Sequence, residues 1–326
     1  MMKKTAIAPA NIALIKYWGK RDASLNLPLN SSFSMNLSEL STTTTIQFRQ
    51  LKKDEISLDG HDATTEDRER VVRHLDRIRK IAGTSFRARV VSRNTFPTGV
   101  GIASSASGFA ALTLAATRAL GLRLSEKQLS LLARRGSGSA CRSVPDGFVE
   151  WVVGKRDEDS YAFSLHPPDF WDIHDVVVLV SRRMKKVTST EGHSLAPTSP
   201  FFQVRLRDIP RRLSLLKKAL KEKDFSTFGR VVEEEALNMH AVMMTSSPPL
   251  LYWEPVTLKV MLLVFQMRDE GLQAYVTLDA WPTVHVICQA NDAERLARKL
   301  RTVEGVIAVI DNKPGKGARV VEEHLF

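Results

Sequence analysis

The stretch Pro97-Thr98-Gly99-Val100-Gly101-Ile102-Ala103-Ser104-Ser105-Ala106 constrains this chain more than any other. Two glycines and two serines run directly into alanine-rich sequence that continues to Ala119-Leu120. Glycine lets backbone N–H groups approach a ligand, and a helix N-terminus adds unpaired donors and a partial positive charge. Such a loop, opening a helix, is an anion cradle, and phosphate is the commonest anion there. No Gly-Lys-Ser/Thr closes the loop, and Gly99, Gly101 and Gly108 have the wrong interval for a dinucleotide fingerprint. The competing reading is structural: a glycine turn capped by Ser104 or Ser105 at the start of a buried helix.

The 326 residues suffice for one large or two ordinary domains. No apolar run reaches the length of a membrane span, and Met1-Met2-Lys3-Lys4-Thr5 lacks the apolar core of a signal peptide. The expectation is a cytoplasmic protein with no membrane partner. Cys141 and Cys288 form no pairing framework and the 8 histidines are scattered singly, which argues against a disulfide scaffold and against zinc. The net charge of +11 invites a nucleic-acid reading. The basic residues, however, are spread through helical segments such as Arg211-Arg212 to Lys221 and Arg295 to Arg301, mixed with acidic and apolar positions. Solvated helix faces explain them better, and a small polyanionic substrate would also favour a positive field. Nucleic acid is not expected as a partner.

Strand patterns appear at Thr42–Phe48 and Phe86–Val91, and between them Val71, Val72, Leu75, Ile78 and Ile81 fall at helical spacing over 66–82. The helix after the glycine loop ends at Gly121, and Ser125 with Gln128 forms a capping box for the next. Val176–Val180 reads as a buried strand, and Ser194–Pro200 as an exposed connection. Helices follow near Arg207–Glu222, Phe225–Glu235 and Val256–Asp269. Then come strands at Gln273–Leu278 and Val284–Gln289, a helix capped by Asp292, and Val306–Ile310. The alternation predicts an α/β (α+β) protein whose second half is a split β-α-β unit. The expected division is 1–180 and 181–326.

Three clusters carry chemistry. The run Asn11-Ile12-Ala13-Leu14-Ile15-Lys16-Tyr17-Trp18-Gly19-Lys20-Arg21-Asp22 ends an apolar stretch in lysines and a tyrosine, which suit phosphate or carboxylate oxygens. A surface strand end explains one lysine; Lys16, directly after a buried run, is harder to assign to solvent. Gly136-Ser137-Gly138-Ser139-Ala140-Cys141-Arg142-Ser143 combines small residues, serine donors and an arginine able to grip a carboxylate bidentately. Asp279, in Leu278-Asp279-Ala280-Trp281-Pro282-Thr283, sits where a strand end can point a carboxylate into a cleft, although turn formation is the more frequent use of such an Asp.

These clusters, with Leu27-Pro28, Asn30-Ser31-Ser32, Phe96-Pro97-Thr98, Met239-His240-Ala241 and Ser247-Pro248-Pro249, resemble the mevalonate diphosphate decarboxylase family of the GHMP kinase superfamily along most of the chain. The resemblance implies a GHMP kinase-like fold, with an N-terminal α/β domain carrying the phosphate loop and a C-terminal ferredoxin-like domain completing the cleft. It also implies ATP and Mg2+ as cofactors, and phosphorylation of a tertiary hydroxyl on a 5-phosphorylated mevalonate, followed by phosphate loss and decarboxylation. By that resemblance Asp279 takes or orients the hydroxyl proton, Lys16 orders Asp279 and the phosphates, and Arg142 holds the substrate carboxylate. Tyr17, Lys20 and Ser139 take the 5-phosphate end, with Asn11, Ser137 and His193 also lining the substrate site. Thr98, Gly99, Gly101, Ala103, Ser104 and Ser105 cradle ATP, Ser105 being the expected magnesium contact.

Two departures stand out. The chain reads Asp279-Ala280-Trp281-Pro282-Thr283 where the family has Asp-Ala-Gly-Pro-Asn, and His193 stands where members carry Met. Both concern substrate fit. They tilt the expectation toward mevalonate 5-phosphate, with the 5-diphosphate as the alternative and a mevalonate 3-kinase or another GHMP kinase behind it. The expected partners are small molecules, with a homodimer left open.

Overall fold

Two long antiparallel strands, Lys4–Ile15 and Ser32–Arg49, form the spine of the larger of two main sheets in the computed structural model, which describes residues 2–96, 104–181 and 187–326. Their register pairs Ala6 with Thr44 and Ile12 with Met35, and it shifts between Pro9 and Asn11 and again between Ala13 and Ile15. Such irregularities bend a strand and re-aim its end. Here they occur just before Lys16.

Ala6 and Ala8 leave room for the helix Ser104–Ala119 to lie close on the sheet. That helix is itself alanine-rich, with Ala110, Ala111, Ala115 and Ala116 fully buried. Small residues on both surfaces allow the approach, and Phe48, Leu75 and Ile78 fill the remaining volume. The helix Thr65–Ala82 is capped by Thr64 and closed by Gly83 in the left-handed region. The capping box of Ser125 and Gln128 starts the helix Glu126–Gly136 as its sequence indicates.

The second sheet has the spatial order Ala274–Thr277, Val284–Gln289, Ile173–Leu179, Ala308–Asn312, all antiparallel. In chain order this is strand, helices, strand, strand, helix, strand, with the first and third strands central: the ferredoxin-like split β-α-β arrangement. One face (Val176, Val178, Val286) packs on the helices Pro255–Asp269 and Ala290–Arg301. The other (Val177, Tyr275, Ile287) shares a core with Phe228 of the helix Phe225–Met244 and with Ile12, Leu14 and Met35 of the first sheet. This shared core puts the end of the strand Lys4–Ile15 between the two halves.

Local details differ from the sequence expectations. Ser194–Pro200 is exposed at Ser194, Pro197, Thr198 and Pro200, but it is ordered by local structure: Thr188 and Glu191 form a capping box for the helix Ser189–Leu195, and a 3-10 turn Ala196–Thr198 follows with Ala196 and Ser199 buried. Gln289, not Asp292, holds the cap position of its helix; Asp292 lies in the first turn, where its charge faces the positive end of the dipole. Ile173–Leu179 belongs to the second sheet, and the late segment Arg319–Val321 returns to the edge of the first beside Lys4–Ile15.

Candidate active site

Lys16 is the first residue past its strand, and only 1% of its side chain is exposed. Its Nζ donates to Asp279 Oδ1 at 2.8 Å, across 263 residues of chain. Asp279 follows the strand Ala274–Thr277 on a loop held by Trp281 N–H on the Asp279 carbonyl at 2.7 Å, and by His240 Nε2 donating to the same oxygen at 3.1 Å. Burial pulls the Lys16 ammonium below the usual lysine range, against the opposing pull of Asp279. Burial works to raise the Asp279 carboxyl, yet the Lys16 charge and hydrogen bond outweigh it and hold the carboxyl below its ordinary value. The result is an ionised carboxylate, one third exposed, beside a buried amine.

Arg142 lies on the 3-10 turn Gly138–Ser143 and is 3% exposed. Its Nε donates to Asn11 Oδ1 at 3.2 Å and its Nη1 to Ser32 Oγ at 2.8 Å, while its guanidinium stands 5.7 Å from the Trp151 ring centre. Among the described residues no Asp or Glu forms a salt bridge with it. A buried guanidinium without a salt bridge is costly, and an anionic ligand would offset that cost. Asn11 also donates to Ser143 Oγ at 2.8 Å and to the Ser139 carbonyl at 3.3 Å, which ties the turn and Arg142 to the strand Lys4–Ile15.

The Tyr17 ring packs edge-on to Trp151 at 4.6 Å, and its hydroxyl is buried with no hydrogen-bond partner among the described residues. A Cβ at position 138 would stand 2.7 Å from that ring, so Gly138 is required by the close approach. His193 lies against Tyr17 and Trp18, with ring centres 4.3 and 4.7 Å away, and its Nδ1 accepts the Gly19 N–H at 2.9 Å. That bond fixes the tautomer: the proton is on Nε2. Lys20 Nζ donates to Asn26 Oδ1 at 2.8 Å and is held below its usual value by burial and by Arg70. Ser137 Oγ donates to Ser105 Oγ at 3.3 Å, which joins the Arg142 turn to the N-terminus of the helix Ser104–Ala119. Ser139 is half-buried on the same turn.

Beside that N-terminus lies a cavity of about 150 Å³ lined by Ser104, Ser105, Gly108, Arg70 and the apolar Val90 and Leu112. A lining of apolar and polar side chains beside a helix N-terminus fits a nucleotide with its phosphates at that N-terminus. Thr98, Gly99, Gly101 and Ala103 lie outside the described residues. No group of three or more His, Cys, Asp or Glu placed to hold a metal ion occurs among the described residues. Magnesium on nucleotide phosphates keeps several waters and needs few protein oxygens, and the hydroxyl of Ser105 in the cavity lining could supply one.

The structure adds residues that sequence reading did not single out. Asn30 Nδ2 donates to the Lys16 carbonyl at 2.9 Å. Arg205 Nη2 donates to the same carbonyl at 3.0 Å, and Lys16 N–H donates to Glu235 Oε1 at 3.2 Å. A signal was present. Arg205 interrupts the apolar stripe of Phe202, Ile209 and Leu213, and Glu235 that of Val231, Val232 and Met239.

The Diphosphomevalonate decarboxylase-like N-terminal domain matches residues 8–162, and the Mevalonate 5-diphosphate decarboxylase C-terminal domain matches residues 176–317. The chain belongs to the diphosphomevalonate decarboxylase family. It is 37% identical over 361 residues to the diphosphomevalonate decarboxylase of Candida albicans, covering 100% of this chain and 99% of that one. The mevalonate diphosphate decarboxylase of Staphylococcus aureus has a TM-score of 0.94 at 39% identity, covering 98% of each chain. A structure of MDDEF in complex with MVAPP, AMPPCP and magnesium has a TM-score of 0.92 at 38% identity, covering 99% of each. These family relatives carry the diphosphate in their names, so the tilt toward the monophosphate is not supported. The two departures that prompted it have packing roles here: His193 fills the space beside Tyr17 and Trp18, and Trp281 is buried in the turn that holds Asp279.

Proposed function

We propose that this chain is an ATP-dependent decarboxylase of mevalonate 5-diphosphate, giving isopentenyl diphosphate in isoprenoid biosynthesis. The observation that carries the reading is the Lys16–Asp279 pair set near a buried Arg142 that forms no salt bridge with an Asp or Glu among the described residues. Arg142 is close enough for its charge to help keep Asp279 ionised. Family membership and the MVAPP, AMPPCP and magnesium held by the related structure support it.

When bound, ATP supplies the phosphoryl group and magnesium offsets its charge. Asp279 takes the 3-hydroxyl proton as that oxygen accepts the phosphoryl, with Lys16 keeping the carboxylate in place. The C3–O bond then breaks and phosphate leaves. The electron pair of the bond to the carboxylate carbon becomes the alkene, and carbon dioxide departs. Arg142 holds the carboxylate until that step, while Tyr17, Lys20, Ser137, Ser139 and His193 line the rest of the substrate site. Ser104 and Ser105, with Thr98, Gly99, Gly101 and Ala103, cradle the nucleotide phosphates. Fixed charges aimed at developing charge, with little covalent work by the protein, suit phosphoryl transfer.

Three coarser matters belong to the same reading. The chain divides into 1–180, which carries the phosphate loop, and 181–326, which completes the cleft, with Ile173–Leu179 and Arg319–Val321 as segments each contributes to the other's sheet. Among the described residues no helix is long and apolar enough to cross a membrane, and a cytoplasmic location is part of the proposal. So is a homodimer, supported by Leu258 and Leu262 exposed one turn apart on the helix Pro255–Asp269 and tested by sedimentation.

The deciding experiment supplies purified protein with ATP, magnesium and each of mevalonate, its 5-phosphate and its 5-diphosphate, following phosphate and carbon dioxide together. The diphosphate is expected to give both products with the highest kcat/KM. Preference for the monophosphate would overturn the substrate, and phosphate without carbon dioxide would make the protein a kinase.

A further inference from the structure

Lys16 is fixed at both of its main-chain polar groups by one buried ion pair. Its N–H donates to Glu235 Oε1 at 3.2 Å, its carbonyl accepts from Arg205 Nη2 at 3.0 Å, and Arg205 Nη2 also donates to Glu235 Oε1. Arg205 comes from the helix Phe202–Glu222 and Glu235 from the helix Phe225–Met244, and the two side chains are 1% and 0% exposed. A buried ion pair is weak evidence for stability, because well-packed apolar residues in its place are often as stable. The partners of this pair are therefore informative. It grips the main chain of the residue whose ammonium meets Asp279.

We propose that Arg205 and Glu235 are positioning residues for the decarboxylation site, holding Lys16 so that its Nζ stays within hydrogen-bond reach of Asp279. The inference rests on the proposed function and deepens it. The strand Lys4–Ile15 ends at Ile15, so past that point the ladder no longer sets the course of the chain, and the ion pair and Asn30 take over. The charge of Glu235 acts in the same sense as the geometry. The charged groups acting on Lys16 are Asp279 and Glu235, which favour the ammonium, and Arg142, which opposes it; Arg205 binds its carbonyl, and His240 is near enough to feel its charge. His240 is itself held neutral, at about 3. Removing the Glu235 charge leaves burial to pull Lys16 further down.

The test uses the full-length enzyme and two variants. Glu235→Gln keeps an oxygen for the Lys16 N–H and removes the charge. The double variant Arg205→Gln with Glu235→Gln removes both charges, so no unpaired ion is left buried if the single variant fails to fold. The expected result is a fall in kcat of about ten- to a hundredfold, the usual scale for a displaced catalytic group, with KM for ATP within about twofold. The alkaline limb of kcat/KM moves to lower pH, because Lys16 loses its proton earlier. A merely structural pair would lower the melting temperature and leave the limb in place. Titration of the Lys16 13Cε signal, assigned with Lys16→Arg, reads the same shift without turnover. It therefore separates this inference from the functional reading should the wild type release no carbon dioxide. A folded variant whose alkaline limb and Lys16 titration both match the wild type would overturn the proposal.

Discussion

Lys16 Nζ and Asp279 Oδ1 stand 2.8 Å apart, joined across 263 residues of chain. One partner ends a strand of the first sheet, the other leaves a strand of the second. The pair forms only when both sheets are built and packed on their shared core.

Asp279→Asn tests the base. The amide keeps the size and an oxygen for Lys16 but cannot take a proton, so kcat should fall by roughly two to four orders of magnitude. KM for ATP and for mevalonate 5-diphosphate should stay within a few-fold. Steady-state release of carbon dioxide checks it, and turnover near wild type would return Asp279 to a turn-forming role.

Arg142→Lys keeps a positive charge but loses the planar fork that reaches Asn11 and Ser32 at once. The loss should fall on the substrate: KM for mevalonate 5-diphosphate rises by about tenfold or more while nucleotide binding is spared, as expected when a bidentate carboxylate contact becomes a point charge. Calorimetric titration with each ligand measures the two affinities separately. Equal loss for both would place Arg142 in the scaffold.

Gly138→Ala drives a methyl group to 2.7 Å from the Tyr17 ring. Overpacking of this kind costs about 1–3 kcal/mol, and it should displace the Tyr17 hydroxyl as well. Denaturant melts and KM for the 5-diphosphate are both expected to worsen. A variant with unchanged KM would remove Tyr17 from the substrate site.

The pH dependence of stability should show a buried histidine. His74 is fully buried, its Nε2 donates to Thr113 Oγ1 at 2.8 Å, and burial pushes it down to about 3. The folded value lies below the unfolded one, so the unfolded chain binds the extra proton between about 6.5 and 3. Stability is therefore complete above about pH 6.5 and is lost as the pH falls, with a slope of up to about 1.4 kcal/mol per pH unit from this group. His74→Gln should flatten urea-melt stability between pH 6.5 and 4.5 relative to wild type. An unchanged slope would assign the acid sensitivity elsewhere. Asp279 has the carboxylate sign, its share being present above the unfolded value near 4 and lost below it, while the cost of the depressed Lys16 is relieved as the pH rises.

Local chemistry was legible wherever neighbours in sequence determine it. The capping box of Ser125 and Gln128, the left-handed Gly83, and the period that buries Val71, Leu75 and Ile78 all depend on interactions within a few residues. The runs around Lys16, Arg142 and Asp279 offered candidate groups for the same reason, since residue type and immediate context set what a side chain can donate or accept, while the roles given to them came from the family resemblance. The tilt toward the monophosphate rested on His193 and Trp281 as departures from the family pattern, and only the fold shows them packed beside Tyr17 and Trp18 and in the turn that holds Asp279. Arg205 and Glu235 interrupt apolar helix stripes, but nothing in sequence says that those stripes face the Lys16 main chain. That contact spans 189 and 219 residues, and only the packing of helices against the end of a strand creates it. Sequence by itself determined which groups the site could use; tertiary structure decided which of them meet, because meeting depends on two sheets closing over one core.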